Sequence, residues 1–268
     1  MKPAPFEYVA PTTLAGALAA LGGEDAKPLA GGQSLVPLLN FRLARPATIV
    51  DLNGVAELEY LRRSGGTLRI GALTRHATLE RSEVVARGWP LLGRAVAHVA
   101  HPAIRNRGTV GGSVAHADPA AELPVALTAL DARFHARSAQ RGAREIAAAD
   151  FFQAPLMTAL EPDELLVEIE VPPLPRGAGA GFVEHARTHG DFALAGAAVV
   201  RAGTEHAAIA LLGAGPVPVR ARDAERALCS GASPAEAARI AGAELDDDYR
   251  RALTIELVRR AIEQASAP

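Results

Sequence analysis

Two short glycine segments hold the residues with the most evident chemical potential. They are Ala30-Gly31-Gly32-Gln33-Ser34 and Thr109-Val110-Gly111-Gly112-Ser113. Paired glycines let the backbone reach positive φ and approach a ligand closely. Successive amides can then form an anion-binding concavity, and a following helix adds the positive end of its dipole. One such terminus contributes only ~0.3–1 kcal/mol at a surface, so holding a diphosphate takes several donors together. Either segment alone also reads as a plain turn with a hydroxyl cap. Their recurrence favours a ligand, because two such loops can cradle one diphosphate from two sides. Glu122 follows the second loop, with Asp118 and Pro119 before it. A carboxylate there can accept hydrogen bonds from ribose or ribityl hydroxyls; its bland alternative is a surface acid favouring a helix N-terminus.

Other catalytic templates are missing from the sequence. There is no G-x-x-x-x-G-K-[ST], no G-x-S-x-G elbow, and no G-x-G-x-x-G after a strand. Gly213-Ala214-Gly215-Pro216 reads as a turn. His98 and His101, and His185 and His189, have spacings that could ligate a metal, but no third ligand accompanies either pair. They read as ordinary polar histidines, so no metal role and no catalytic acid–base pair is assigned.

These loops must be positioned by the elements around them. Leu14, Ala17, Leu18 and Leu21 repeat at helical spacing after Thr13, and Gly22-Gly23 ends that helix. Residues 27–30 read as a short strand entering the first glycine turn, 34–44 as a helix and 48–52 as a strand, a βαβ-like unit. A strand is expected over 67–72, a helix from Thr74 through about 87, and another from Pro90 through about 100. His101-Pro102 ends it, and a loop carrying Arg105 and Arg107 leads into the second glycine segment. Asp118-Pro119 looks like an N-cap followed by a proline at the first helical position. Leu165, Val167, Ile169 and Val171 alternate with Glu168 and Glu170, which predicts a two-faced strand. Pro172 to Pro175 and the Gly/Ala run after it form the best linker. Strands near 182–187, 194–201 and 206–212 follow, then helices near 221–229, 234–243 and 247–264. Ser233-Pro234-Ala235-Glu236 matches a capping box. The expected domains are 1–172, divisible near 57 into 1–57 and 58–172, and 173–268.

Composition narrows the class. The 268 residues carry 28 basic and 30 acidic side chains, a formal charge of −2, with 49% apolar and 22% charged residues. That balance excludes a disordered chain and lacks the basic footprint of a dedicated nucleic-acid binder. No run of apolar residues is long enough to cross a membrane, and the N-terminus lacks a secretory apolar core. The single cysteine, Cys229, precludes an internal disulfide and any iron–sulfur cluster or thiolate zinc site held by this chain alone. A reducing, cytoplasmic setting fits best.

The segments A-G-G-Q-S-L at 30–35, R-N-R-G-T-V-G-G-S-V-A at 105–115 and A-D-P-A-A-E-L-P at 117–124 resemble the FAD-binding medium subunits of molybdenum hydroxylases. The likeness is to the carbon monoxide dehydrogenase and xanthine dehydrogenase kind, and extends over nearly the whole chain. Phe41 to Pro46, Ile70 to Thr74, Asp163 to Leu166 and Gly190 to Gly196 also fit it. The resemblance implies an α+β fold: a PCMH/vanillyl-alcohol-oxidase-type FAD-binding domain, plus a C-terminal three-stranded antiparallel sheet with helices. It implies FAD bound without a Rossmann fingerprint. Ala30, Gly31, Gly32, Gln33 and Ser34 would surround the diphosphate, and Thr109, Val110, Gly111, Gly112 and Ser113 would form the second loop. Glu122 stands where relatives often have Asp, and Gln33 replaces a common histidine. Leu165 would pack near the flavin. Phe182 falls where a tyrosine meets the isoalloxazine, so stacking could persist without the hydroxyl.

The implied role is electron relay. A separate molybdopterin subunit would oxidise the substrate, and a small subunit with [2Fe-2S] clusters would pass electrons to this FAD. An external acceptor would then receive them. The implied assembly is a dimer of heterotrimers. A self-sufficient flavin oxidase or dehydrogenase acting on a small molecule is the alternative. A non-enzymatic protein retaining the fold is a third reading.

Overall fold

The computed structural model describes residues 2–266. Its N-terminal part is a parallel sheet of β1 (Glu7–Val9), β2 (Ala26–Leu29) and β3 (Thr48–Asp51), in the order β1-β3-β2. Helix α1 (Leu14–Leu21) makes the first crossover. It starts where the Thr13 hydroxyl accepts the Gly16 amide, and it buries Leu14, Ala17, Leu18 and Leu21 beside Val50 and Leu52. Helix α2 (Leu35–Asn40) makes the second, and is shorter than the expected 34–44. The chain leaves it through Arg42 at φ 57°, a left-handed turn no helix can continue through.

The central part is an antiparallel sheet in the order β4-β5-β10-β6-β7. Its strands are β4 (Leu61–Ser64), β5 (Thr67–Gly71), β6 (Arg133–Ser138), β7 (Gly142–Ala147) and β10 (Glu164–Val171). Between β5 and β6 run α3 (His76–Arg81), α4 (Glu83–Gly88), α5 (Pro90–His98), α6 (Pro102–Arg105), α7 (Val110–His116) and α8 (Glu122–Ala129). A short α9 (Ala148–Phe151) and the hairpin β8 (Phe152–Ala154) and β9 (Met157–Thr158) precede β10.

Four local expectations change here. The single helix expected over 74–87 is two, because Ser82 is extended and its hydroxyl caps α4 at the Val85 amide. The Thr74 hydroxyl instead donates to the Tyr60 carbonyl. The second glycine segment is the first turns of α7, capped by Thr109, not a free loop. Asp118 does not cap α8: its carboxylate accepts the Ala120 amide in a turn, and α8 begins at Glu122. Finally, β10 does not alternate simply. A β-bulge between Leu166 and Glu168 reverses its faces. Leu165 and Val167 therefore face the N-terminal core, while Leu166, Ile169 and Val171 face the main one.

The C-terminal part is an antiparallel sheet, β11 (Gly179–His185), β12 (Ala195–Ala202) and β13 (His206–Leu212), with a fourth, two-residue strand β14 (Val219–Arg220) at its edge. Alternation places Ala197, Val199, Ile209 and Leu211 against the helices α10 (Arg222–Cys229), α11 (Pro234–Gly242) and α12 (Asp248–Ser266). The opposite face, with Ala198, Val200, Ala208 and Ala210, joins the main core under α5 and α8. Among the described residues no helix is long and apolar enough to cross a membrane.

Candidate cofactor site

The fold brings the two glycine segments into direct apposition. A Cβ at Gly31 would lie 2.4 Å from the Arg107 carbonyl oxygen and 2.8 Å from the Gly108 Cα, and one at Gly112 would lie 3.7 Å from the Ala30 Cβ. Gly111 is equally enclosed, its missing Cβ 2.5 Å from that of Ala72. Gly32 has φ 74°, where an L-residue is strained. The glycines thus serve contact between backbones at Gly31 and Gly111, and a left-handed turn at Gly32.

The chemistry of this junction is donor-rich. Among the described residues the amides of Gly31, Gly32, Gln33 and Ser34 give no hydrogen bond to the protein, and neither do the hydroxyls of Ser34 and Ser113. The Gln33 side chain folds back, its amide donating to the Gly31 carbonyl at 3.0 Å. In α7 the Gly112 amide donates to the Thr109 hydroxyl at 3.1 Å. Free amides along a turn, opposite a helix N-terminus, suit an oxyanion.

Three residues that sequence reading passed over hold the loops together. The Asn53 side chain donates to the Ala30 carbonyl at 2.9 Å, and its oxygen accepts Arg75 Nη2 at 2.7 Å. Arg75 also donates to the Arg107 carbonyl, so one polar chain staples the first loop to the second. His76 lies beneath. Its backbone amide donates to the Gly108 carbonyl at 3.0 Å, and its ring Nε2 sits 2.9 Å from the Thr109 carbonyl. Burial holds the imidazole down to about 4, hence neutral, with Nε2–H as the donor to Thr109. In the sequence Arg75 and His76 stand only as the start of the helix expected from Thr74. Arg105 is structural: it pairs with Glu80 at 2.9 and 3.1 Å and donates to the carbonyls of Val99 and Ala100.

Glu122 opens α8, 8% exposed, and burial pushes its carboxyl up to about 7. Glu184 and His98 lie near it, His98 Nδ1 sitting 3.2 Å from Glu184 Oε1, and Glu184 Oε2 is buried without a partner. The Glu184 carboxylate draws the imidazole upward. Phe182 is 3% exposed and packs on His98 with ring centroids 5.3 Å apart. Leu165 is buried in the N-terminal core with Leu73 and Val167. Neither residue is brought to the junction surface. Phe192, in the G-D-F segment, is instead 67% exposed.

A profile described as "FAD binding domain in molybdopterin dehydrogenase" matches residues 4–174, and the chain belongs to that family. Across 202 residues it is 52% identical to the 6-hydroxypseudooxynicotine dehydrogenase complex subunit alpha of Paenarthrobacter nicotinovorans, covering 75% of this chain and 68% of that protein. It is 41% identical to the nicotine 6-hydroxylase medium subunit of the same organism, over 100% of this chain and 99% of that protein. Carbon monoxide dehydrogenase from Hydrogenophaga pseudoflava contains a chain of the same fold, with TM-score 0.94, 39% identity and 99% of each chain covered. FAD is the family's cofactor, and the free amides facing a capped helix fit its diphosphate.

Proposed function

We propose that this chain is the FAD-carrying electron-transfer subunit of a molybdenum hydroxylase. Bound FAD supplies the redox chemistry, taking electrons from an iron–sulfur subunit and yielding them to an external acceptor. The carrying observation is the run of unpartnered amides at residues 31–34, set against Thr109 to Ser113. In this reading Ala30 to Ser34 and Thr109 to Ser113 clasp the diphosphate. Asn53, Arg75 and His76 hold the two loops at a fixed separation. Glu122, buried at the start of α8, accepts from cofactor hydroxyls. Leu165 and Phe182 supply the packing behind the cleft.

The finer assignments rest on the same reading. The parallel N-terminal sheet followed by an antiparallel one supports the vanillyl-alcohol-oxidase (PCMH) type. The Pro172 to Pro175 segment, with the family match ending at 174, supports domains at 1–172 and 173–268. Relatives named as alpha and medium subunits support a molybdopterin subunit and an iron–sulfur subunit as partners in a dimer of heterotrimers.

The test is the visible spectrum of the purified chain. A yellow protein, or a colourless one that takes up FAD stoichiometrically, is expected. A folded chain that takes up no FAD would refute the reading. Substrate turnover by the isolated flavoprotein would instead identify a self-sufficient oxidase. Replacing Gly32 and Gly112 together with bulky residues should abolish flavin retention; unchanged flavin content would refute the diphosphate placement.

A further inference from the structure

The outer face of the central sheet carries a cluster outside the residues assigned above to the cofactor. Glu168 and Glu170 are two apart on β10, beyond its bulge, and so share one face. His135 on β6 lies directly opposite Glu168. Its Nε2 is 3.8 Å from Glu168 Oε1 and 3.5 Å from Glu170 Oε2. That nitrogen is buried and has no hydrogen-bond partner among the described residues. The three ligand atoms lie within 4.8 Å of one another.

We propose that His135, Glu168 and Glu170 form a binding site for a divalent transition-metal ion of the zinc class. The separations decide between the obvious occupants. A charge-assisted hydrogen bond between imidazole and carboxylate would close to about 2.7–2.9 Å. Bonds of about 2.0–2.2 Å from one tetrahedral ion place its ligands roughly 3.3–3.6 Å apart. The spacing is too wide for the first and close to the second. One imidazole nitrogen with two carboxylates is a donor set for zinc, not for magnesium or calcium, and leaves a fourth position for water.

The surroundings are those of a built site. All three residues stand on paired strands, so no loop has to order. Tyr60 donates to Glu168 Oε2 at 2.6 Å, which aims the other oxygen at the gap. Arg69 bridges Glu168 Oε1 at 2.6 Å and Glu170 Oε2 at 2.7 Å. Each oxygen has a second lone pair, so the guanidinium holds the two carboxylates facing one point while leaving each able to bind an ion. Glu145, 3.9 Å from His135 Nε2, adds negative charge, and Arg133 pairs with it. A cleft of about 520 Å³, lined by Glu57, Tyr60, Arg69, His135 and Glu168, gives an entry path.

The experiment uses the purified chain with whatever flavin it carries, stripped of metal by chelator and dialysed. Zinc chloride is titrated by calorimetry, and cobalt chloride by its visible absorption beyond the flavin band. One ion per chain is expected, with a rise in Tm under excess zinc. His135→Asn and Glu170→Gln should each weaken binding by roughly tenfold or more and remove the Tm rise. Should His135→Asn fail to fold, Glu170→Gln, which keeps the size and shape of the side chain, makes the same test. Far-ultraviolet dichroism and flavin content check that each variant is native. Absence of saturable one-to-one binding in the native chain overturns the proposal. So does binding unchanged in a folded His135→Asn or Glu170→Gln chain.

Discussion

In the first glycine loop the amides of residues 31–34 are uncommitted among the described residues. In the second nearly every amide is used: Val110 donates to Thr74, Gly111 to Ala72, Gly112 to the Thr109 hydroxyl and Ser113 to the Thr109 carbonyl. Two segments with the same Gly-Gly-polar composition are therefore built for different tasks. The first is an open donor surface. The second is a rigid helix start, gripped from below by His76, against which the first is placed. A glycine pair in a sequence does not say which kind it is; the acceptors around it do.

That contrast can be broken most severely at the two positions where backbone meets backbone. Gly31→Val or Gly111→Val drives a side chain into the Arg107 carbonyl or Ala72, and neither neighbour is a flexible side-chain end. Each should cost about 4 kcal/mol or more, read as a large fall in Tm with complete loss of flavin. A Gly111→Val chain that melts like the native one would mean the close approach is not real.

Acid tests the grip of His76. Burial lowers its folded-state pKa to about 4 from 6.5, so below pH 6.5 the unfolded chain binds a proton that the folded one refuses. Stability from this group is full above pH 6.5 and falls by roughly 3 kcal/mol on descending to about pH 4. His76→Phe removes that slope and the donor to Thr109, and should weaken flavin retention; His76→Gln, which keeps an N–H, should restore part of it. Glu122 works in the opposite sense. Its carboxyl, raised to about 7 from 4.5, destabilises the flavin-free fold as pH rises through that window. Glu122→Gln should raise the Tm of flavin-free protein at pH 8 and change it little at pH 4.5.

Smaller effects sharpen the comparison. Gly32→Ala puts an L-residue at φ 74° and should cost about 1–2 kcal/mol, with a matching loss of FAD affinity measured by fluorescence titration. Thr109→Ala removes only the cap on Gly112, about 1 kcal/mol, and should loosen flavin less than Gly32→Ala does.

The parts of this picture legible in sequence were those with local causes. The helix beginning after Thr13 follows from its cap and its apolar spacing. So does Ser233, whose hydroxyl accepts the Glu236 amide at the start of α11. The glycine loops were visible as composition. What escaped was tertiary. Glycines 111 and 112 are poor helix formers, so their composition does not announce a helix; the Thr109 cap starts it, and the close approach of Ala72 and Thr109 leaves room for glycine alone. Asn53, Arg75 and His76 act through carbonyls distant in sequence, which no local pattern announces. The contact of Phe182 with His98 likewise joins residues far apart in the chain.

The bulge in β10 has a consequence for how this chain can vary. Upstream of it, even-numbered residues face the main core; downstream, odd-numbered ones do. Val167 is the extra residue: Leu166 stands opposite Ala136 and Glu168 opposite His135, so Val167 has no partner on β6. Removing it would close the bulge and leave Leu166, Ile169 and Val171 in phase under the main core. What would be lost is its side chain in the N-terminal core and its carbonyl, which accepts the Ala72 amide. Length changes should accumulate instead at hairpin tips such as Gly65-Gly66 and Gly203, where a missing or extra residue alters no strand's phase.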